Sequence, residues 1–173
     1  IWEVKLTELQ RVTVLAQSSQ PGGDGYAIVL NVMQGAVQDI GQNRNPAFFN
    51  LHVKESPDTI LPILLGAQID YNNGVMIVNA SETVDATPAS FVVTKRLRLA
   101  NLTHGYGVNL SYAKVTAIDG ISFTVRLTEK QRSLAIAISG TSGGDENAVF
   151  LEGEKGAVSD IGRNPCLDFF GIQ

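Results

Sequence analysis

Residues 22–41 read GGDGYAIVLNVMQGAVQDIG, and residues 143–162 read GGDENAVFLEGEKGAVSDIG. Gly22 matches Gly143, Gly35 matches Gly156 and Ile40 matches Ile161, all at one offset of 121. Each copy continues through an Asn-Pro step, Asn45-Pro46 and Asn164-Pro165, and both reach Phe-Phe in register, at Phe48-Phe49 and Phe169-Phe170. A chain that spells the same segment twice must fold it into the same supersecondary unit twice. That unit is a Gly-Gly-Asp turn, a short apolar strand, a Gly-containing loop with an aspartate, and a strand opened by Phe-Phe. The copies stand too far apart for a solenoid, and no third copy lies between them.

The rest of the chain has the period of strands. Trp2, Val4 and Leu6 alternate with Glu3 and Lys5, and after a slip at Thr7-Glu8 the pattern resumes with Val12 and Val14. A slip of this kind reads as a bulge or bend between two short strands. The β-branched Val-Thr-Val run favours strand over helix for this segment. Phe49, Leu51 and Val53 alternate with Asn50, His52 and Lys54. Further strands are expected at 26–33, 60–71, 75–78, 91–99, 108–118, 121–127, 134–138, 148–151 and 167–172. Asn72-Asn73-Gly74 and Asp119-Gly120 supply the hairpin turns. About ten short strands at even spacing, with no capped helical stripe, predict one all-β domain over 1–173, an antiparallel sandwich or jelly roll. Within it, residues 1–17 form an N-terminal strand segment and 18–25 a Gly-rich hinge.

Charged residues make up only 17% of the chain, and the net charge is −4. That balance lacks the basic stripe a nucleic-acid binder needs. The densest basic run, Lys95-Arg96-Leu97-Arg98, places its two arginines on one face of a strand as a solvated face. No apolar stretch is long enough to span a bilayer as a helix. The low charge and the Ile at position 1 fit a protein freed of a secretory leader, extracellular or on a virion. Three N-x-S/T sequons, at Asn79, Asn101 and Asn109, are compatible with glycosylation. The lone Cys166 is expected as a buried small hydrophobe.

Chemistry is sparse. His52 and His104 have no metal-ligand spacing between them, and one cysteine cannot make a zinc site. No nucleophile elbow, Walker loop or dinucleotide fingerprint occurs. Two readings of the repeat follow. In the first it is a structural corner used at two equivalent positions. In the second, Asp24 with Asp39, and Asp145 with Asp160, mark two copies of a ligand or calcium site, because calcium takes carboxylate and carbonyl oxygens from loops. Neither copy matches an EF-hand. The expected function is a non-enzymatic structural subunit of a homopolymeric extracellular or viral assembly, partnered by copies of itself. Trp2, Val4, Leu6, Val12 and Val14 would be its self-assembly strand. The alternative is a lectin-like or adhesion module whose two loops bind a glycan. No cofactor is expected beyond the calcium of the second reading.

Overall fold

The computed structural model of the protein describes residues 3–101 and 107–173. The described residues are mostly β, with ten strands in three antiparallel sheets and two α-helices. No described helix is long and apolar enough to cross a membrane. The chain divides into two compact units, residues 1–58 and 59–173. Residues 18–25 lie inside the first unit as a bonded turn, Gly23 N donating to Gln20 O at 2.9 Å and Gly25 N to Ser18 O at 3.1 Å.

The second unit is the sandwich. Strands β3 (Leu64–Asp70), β4 (Val75–Val84), β7 (Lys114–Val115) and β8 (Gly120–Arg126) form one sheet in the order β3-β4-β8-β7. Strands β5 (Leu97–Ala100), β6 (Gly107–Asn109), β9 (Phe150–Gly153) and β10 (Phe169–Ile172) form the other, in the order β10-β9-β5-β6. Alternation decides which side chains face inward. Met76, Val78 and Ala80 of β4 are buried while Ile77 and Asn79 are exposed, and Met76 and Val78 stand opposite Val125 and Phe123 of β8. From the facing sheet come Leu97 and Leu99 of β5, Val108 of β6 and Leu151 of β9, all in one buried cluster. Each such side chain removed from water contributes about 1.5–3 kcal/mol, which is what holds the two sheets together.

The hairpin between β3 and β4 is wider than a two-residue Asn-Gly turn. Asp70 pairs with Val75, and residues 71–74 close the loop. Asp70 organises it: its carboxylate accepts the Asn72 backbone N–H at 2.9 Å and the Asn73 side-chain amide at 2.6 Å, and only Gly74 takes positive φ. The segment 108–118 does not run as one strand. Val108 joins the β5 sheet, and Lys114–Val115 turns back to pair with β8.

Two segments expected as strands are helices. The first is α1 (Glu8–Ala16), which contains Val12 and Val14, and the second is α2 (Glu129–Ala137), which contains Leu134. Both begin with the same capping box. Thr7 and Gln10, and likewise Thr128 and Gln131, exchange side-chain and backbone hydrogen bonds, satisfying two donors that a helix start leaves open. Each first turn also closes a three-apart ion pair, Glu8–Arg11 at 2.8 Å and Glu129–Arg132 at 2.6 Å. Cap and ion pair together outweigh the β-preference of Val-Thr-Val. Residues 91–99 likewise bend through two short 3-10 turns before β5 begins.

Just past β4, Asp85 is drawn into the sandwich end, its N–H donating to Ser159 O at 2.9 Å. Burial raises its carboxyl above the usual range, and the negative charges of Asp119 and Asp160 push the same way, against a hydrogen bond from Thr87 N–H and the charge of Arg163. The folded state therefore holds this proton more tightly than the unfolded chain does. The stability it contributes is fully present below the unfolded carboxylate value of about 3.9 and is lost as pH rises through the folded value. Asp85→Asn keeps an acceptor for Thr87. It is expected to be more stable than the parent at pH 7, with the difference shrinking toward pH 4, as read by urea unfolding at both pH values. Equal stability at pH 7 contradicts this account.

Candidate functional site

The feature that recurs is larger than the matched sequence. Strands β1 (Val29–Val32) and β2 (Phe48–His52) of the first unit pair antiparallel, as β9 and β10 do in the second. The offset of 121 carries α1 onto α2, β1 onto β9 and β2 onto β10. The backbone repeats in detail. Left-handed φ values recur at Gly22 and Gly143 (91° and 90°), at Gly35 and Gly156 (75° and 73°), and at Gln42 and Arg163 (63° and 67°). They recur even where the residue type changes, as at Gly25 and Glu146, or Asn50 and Gly171. The middle glycine of each Gly-Gly-Asp turn is sterically required. A Cβ on Gly23 would sit 2.1 Å from Ser18 O, and one on Gly144 1.9 Å from Ser139 O.

The four aspartates of the repeat build turns. An oxygen of Asp24 accepts the Tyr26 N–H at 3.0 Å, and one of Asp145 the Asn147 N–H at 3.1 Å. Asp39 takes the Asn43 N–H at 2.8 Å and its side-chain amide at 3.0 Å. Asp160 does the same with Asn164, at 2.7 and 2.9 Å. The Asn43 side chain and then its backbone N–H hold the Asp39 carboxyl below its ordinary range. Among the described residues, Asp24, Asp39 and Asp145 belong to no group of carboxylates close enough to share an ion. Asp160 does, with a carboxylate oxygen within 4.8 Å of one on the buried Glu82. The two loops therefore differ in their carboxylate surroundings.

Between the copies the surroundings differ most. In the second unit the element is covered. Strand β5 pairs along β9 with Leu99 opposite Leu151. Val84 bridges Asp160, Val93 N donates to Ala157 O at 2.8 Å, and Arg96 Nη1 donates to Lys155 O at 2.9 Å. On the helix side, Gln131 Nε2 reaches Asn109 O at 2.9 Å and Arg132 Nη1 reaches Tyr71 O at 2.7 Å. Asn101 donates to Ile138 O and to Asp145. In the first unit β1 pairs only with β2 among the described residues, and its other edge faces no strand. Leu151 is 1% exposed and its counterpart Leu30 is 52% exposed. Ala157, Val158 and Asp160 are buried, whereas Ala36 and Asp39 are exposed and Val37 half-buried. Within the first unit, residues 54–58 fold back onto the helix and turn instead. Glu55 accepts Ser19 N–H at 3.1 Å and Ile28 N–H at 3.0 Å, and Asp58 pairs with Arg11.

The sequence-expected assembly strand takes a different form. Val12 and Val14 lie on α1. Val4 and Leu6 lie in an irregular segment, 75% and 44% exposed, and Trp2 falls outside the described residues. The same offset matches Val4 to Val125 and Leu6 to Leu127, both buried in the sandwich. Their alternation is the alternation of β8, present without the neighbour β4 that makes it a strand.

Other candidates resolve more simply. Cys166 is buried. Asn101, one of the sequon asparagines, is buried with its amide nitrogen bonded twice, so it is not a glycan acceptor in this fold. Arg98 pairs with Glu152 at 2.6 Å, and Arg96 donates to the carbonyls of Lys155 and Gly156, so both arginines of the basic run have partners within the chain. His52 is exposed on β2, and His104 lies outside the described residues. Sequence reasoning missed the capping boxes, although Thr7-Glu8 with Gln10 and Thr128-Glu129 with Gln131 spell the same signature. No protein-family model, no curated protein and no solved structure matches this chain.

Covered and bare copies of one leucine should respond differently to truncation. Leu151→Ala is expected to destabilise the second unit by about 2–5 kcal/mol, as large-to-small core changes do. Leu30→Ala should change the stability of the first by about 0.5 kcal/mol or less, as a surface change does. Urea unfolding followed by residue-resolved NMR separates the two units. Equal losses would mean that Leu30 is covered in solution.

Proposed function

We propose that this protein is a non-enzymatic structural subunit of an extracellular or viral assembly, built of β-sandwich modules that join through a helix–strand–loop–strand element. The observation that carries the reading is the pair of copies. In one sequence element with recurring backbone geometry, the strand and aspartate loop are covered in the second unit and exposed in the first, where residues 54–58 cover only the helix and turn. Its bare form presents a free strand edge flanked by Leu30, Val29 and Phe49, all exposed. An exposed apolar edge of this kind pairs with another chain unless something blunts it. The loop aspartates support the same reading, because they are engaged in shaping turns.

The proposal is tested by light scattering after size-exclusion chromatography over a wide range of concentration, with negative-stain electron microscopy of the same samples. The full chain is expected to associate with rising concentration. Leu30→Asp, which places a charge on the edge, should shift it to monomer while leaving the second unit folded. A chain that is monomeric at every concentration overturns the structural-assembly reading.

A further inference from the structure

We propose that the bare element of the first unit is a seat for a β module built like residues 59–121. The seat would receive that module as residues 128–173 receive residues 59–121 within the second unit. This rests on the modular reading above and adds to it the identity of the partner. The occupant is read from the second unit, where the same element is already seated. Its strand edge takes β5, and its loop takes the end of β4 through the Val84–Asp160 bridge. Its helix takes the carbonyls of Tyr71 and Asn109.

Three features fix the partner further. Residues 1–173 carry two seats, 7–52 and 128–173, but one cover, 59–121. A second copy of these residues brings two more seats and one more cover, and that cover is already seated in its own copy. Copies of residues 1–173 can still meet edge to edge at β1, but filling the whole seat takes a cover module in excess of those already seated. The offset gives its attachment. Residues 3–6, Glu-Val-Lys-Leu, match residues 124–127, Thr-Val-Arg-Leu. A cover joined ahead of them in the register of the second unit would run into the first seat as residues 59–127 run into the second. The seat also states what must face it. Leu97 lies opposite Gly153, and a Cβ on Gly153 would sit 3.0 Å from Leu97 Cδ2 and 2.3 Å from Phe169 Cζ. Val32 holds the position of Gly153 in the first unit. A cover with a residue smaller than leucine at the position of Leu97 would meet the Val32 side chain with the least adjustment.

The test joins a second copy of residues 59–121 directly ahead of Ile1 of the full chain, in two forms, unchanged and with Leu97→Ala in the added copy. Hydrogen exchange is followed at residues 29–32 and 48–52. In the Leu97→Ala form these amides are expected to slow at least tenfold toward the rates of 150–153 and 169–172, and in the unchanged form to slow less. A second measurement does not depend on full folding of the added copy. Leu30→Cys combined with Leu99→Cys in the added copy, set by the Leu99–Leu151 register, should form a disulfide under mild oxidation. Leu30→Cys combined with Arg98→Cys in the added copy, one residue away and on the other face of the strand, should not. Unchanged exchange together with no crosslink between positions 30 and 99 overturns the inference. Association of the parent chain in light scattering is read separately, so the modular assembly can stand while this partner fails, or the reverse.

Discussion

The pairing of β5 with β9 is the contact on which the second unit depends. It completes the four-stranded sheet β10-β9-β5-β6, and it sets Leu99 against Leu151 within the buried cluster. Through it a stretch with little core of its own acquires one. The helix, the Gly-Gly-Asp turn and the aspartate loop of residues 128–173 form from local hydrogen bonds. They become part of a sandwich only when the strands of 59–127 close over them. The first unit shows the same parts without that closure, and it keeps their backbone almost unaltered.

This separation of local shape from burial explains how much was legible in the sequence. The mostly β character and the alternation of β4 and β8 follow from period-two patterns, and the structure places Met76, Val78, Phe123 and Val125 inward as those patterns require. The repeated segment is legible because glycine and aspartate mark turns whose geometry tolerates few other residues. The helices are not legible from periodicity. Val-Thr-Val in α1 has the composition of a strand, and the decision lies in Thr7 and Gln10, whose capping geometry outweighs propensity.

Partnership is the part that a pattern cannot carry. Val4 and Leu6 alternate as a strand should, yet a strand is defined by its neighbour, and the first unit offers them none among the described residues. The aspartates Asp24, Asp39, Asp145 and Asp160 look alike in sequence, but among the described residues it is Asp160 that joins a carboxylate cluster, beside the buried Glu82, and its loop is the one bridged to Val84 at the end of β4. The border of the two units falls at the polar, Pro-containing stretch Lys54-Glu55-Ser56-Pro57-Asp58, but that composition does not say which strands close over which on either side.

The turns around Asp39 and Asp160 have a kinetic consequence. Their hydrogen bonds close over a few residues, Asp160 with Asn164 and Asp39 with Asn43, whereas β5 and β9 join strands with β6, β7 and β8 between them in the chain. Short loops close faster than long ones, so the helix–strand–loop–strand element can be formed before its cover arrives. During that interval residues 59–127 lie between two preformed elements of the same shape, one on each side in the chain. In the folded chain residues 59–127 close over the C-terminal one, whose strand carries Gly153 where the N-terminal one carries Val32.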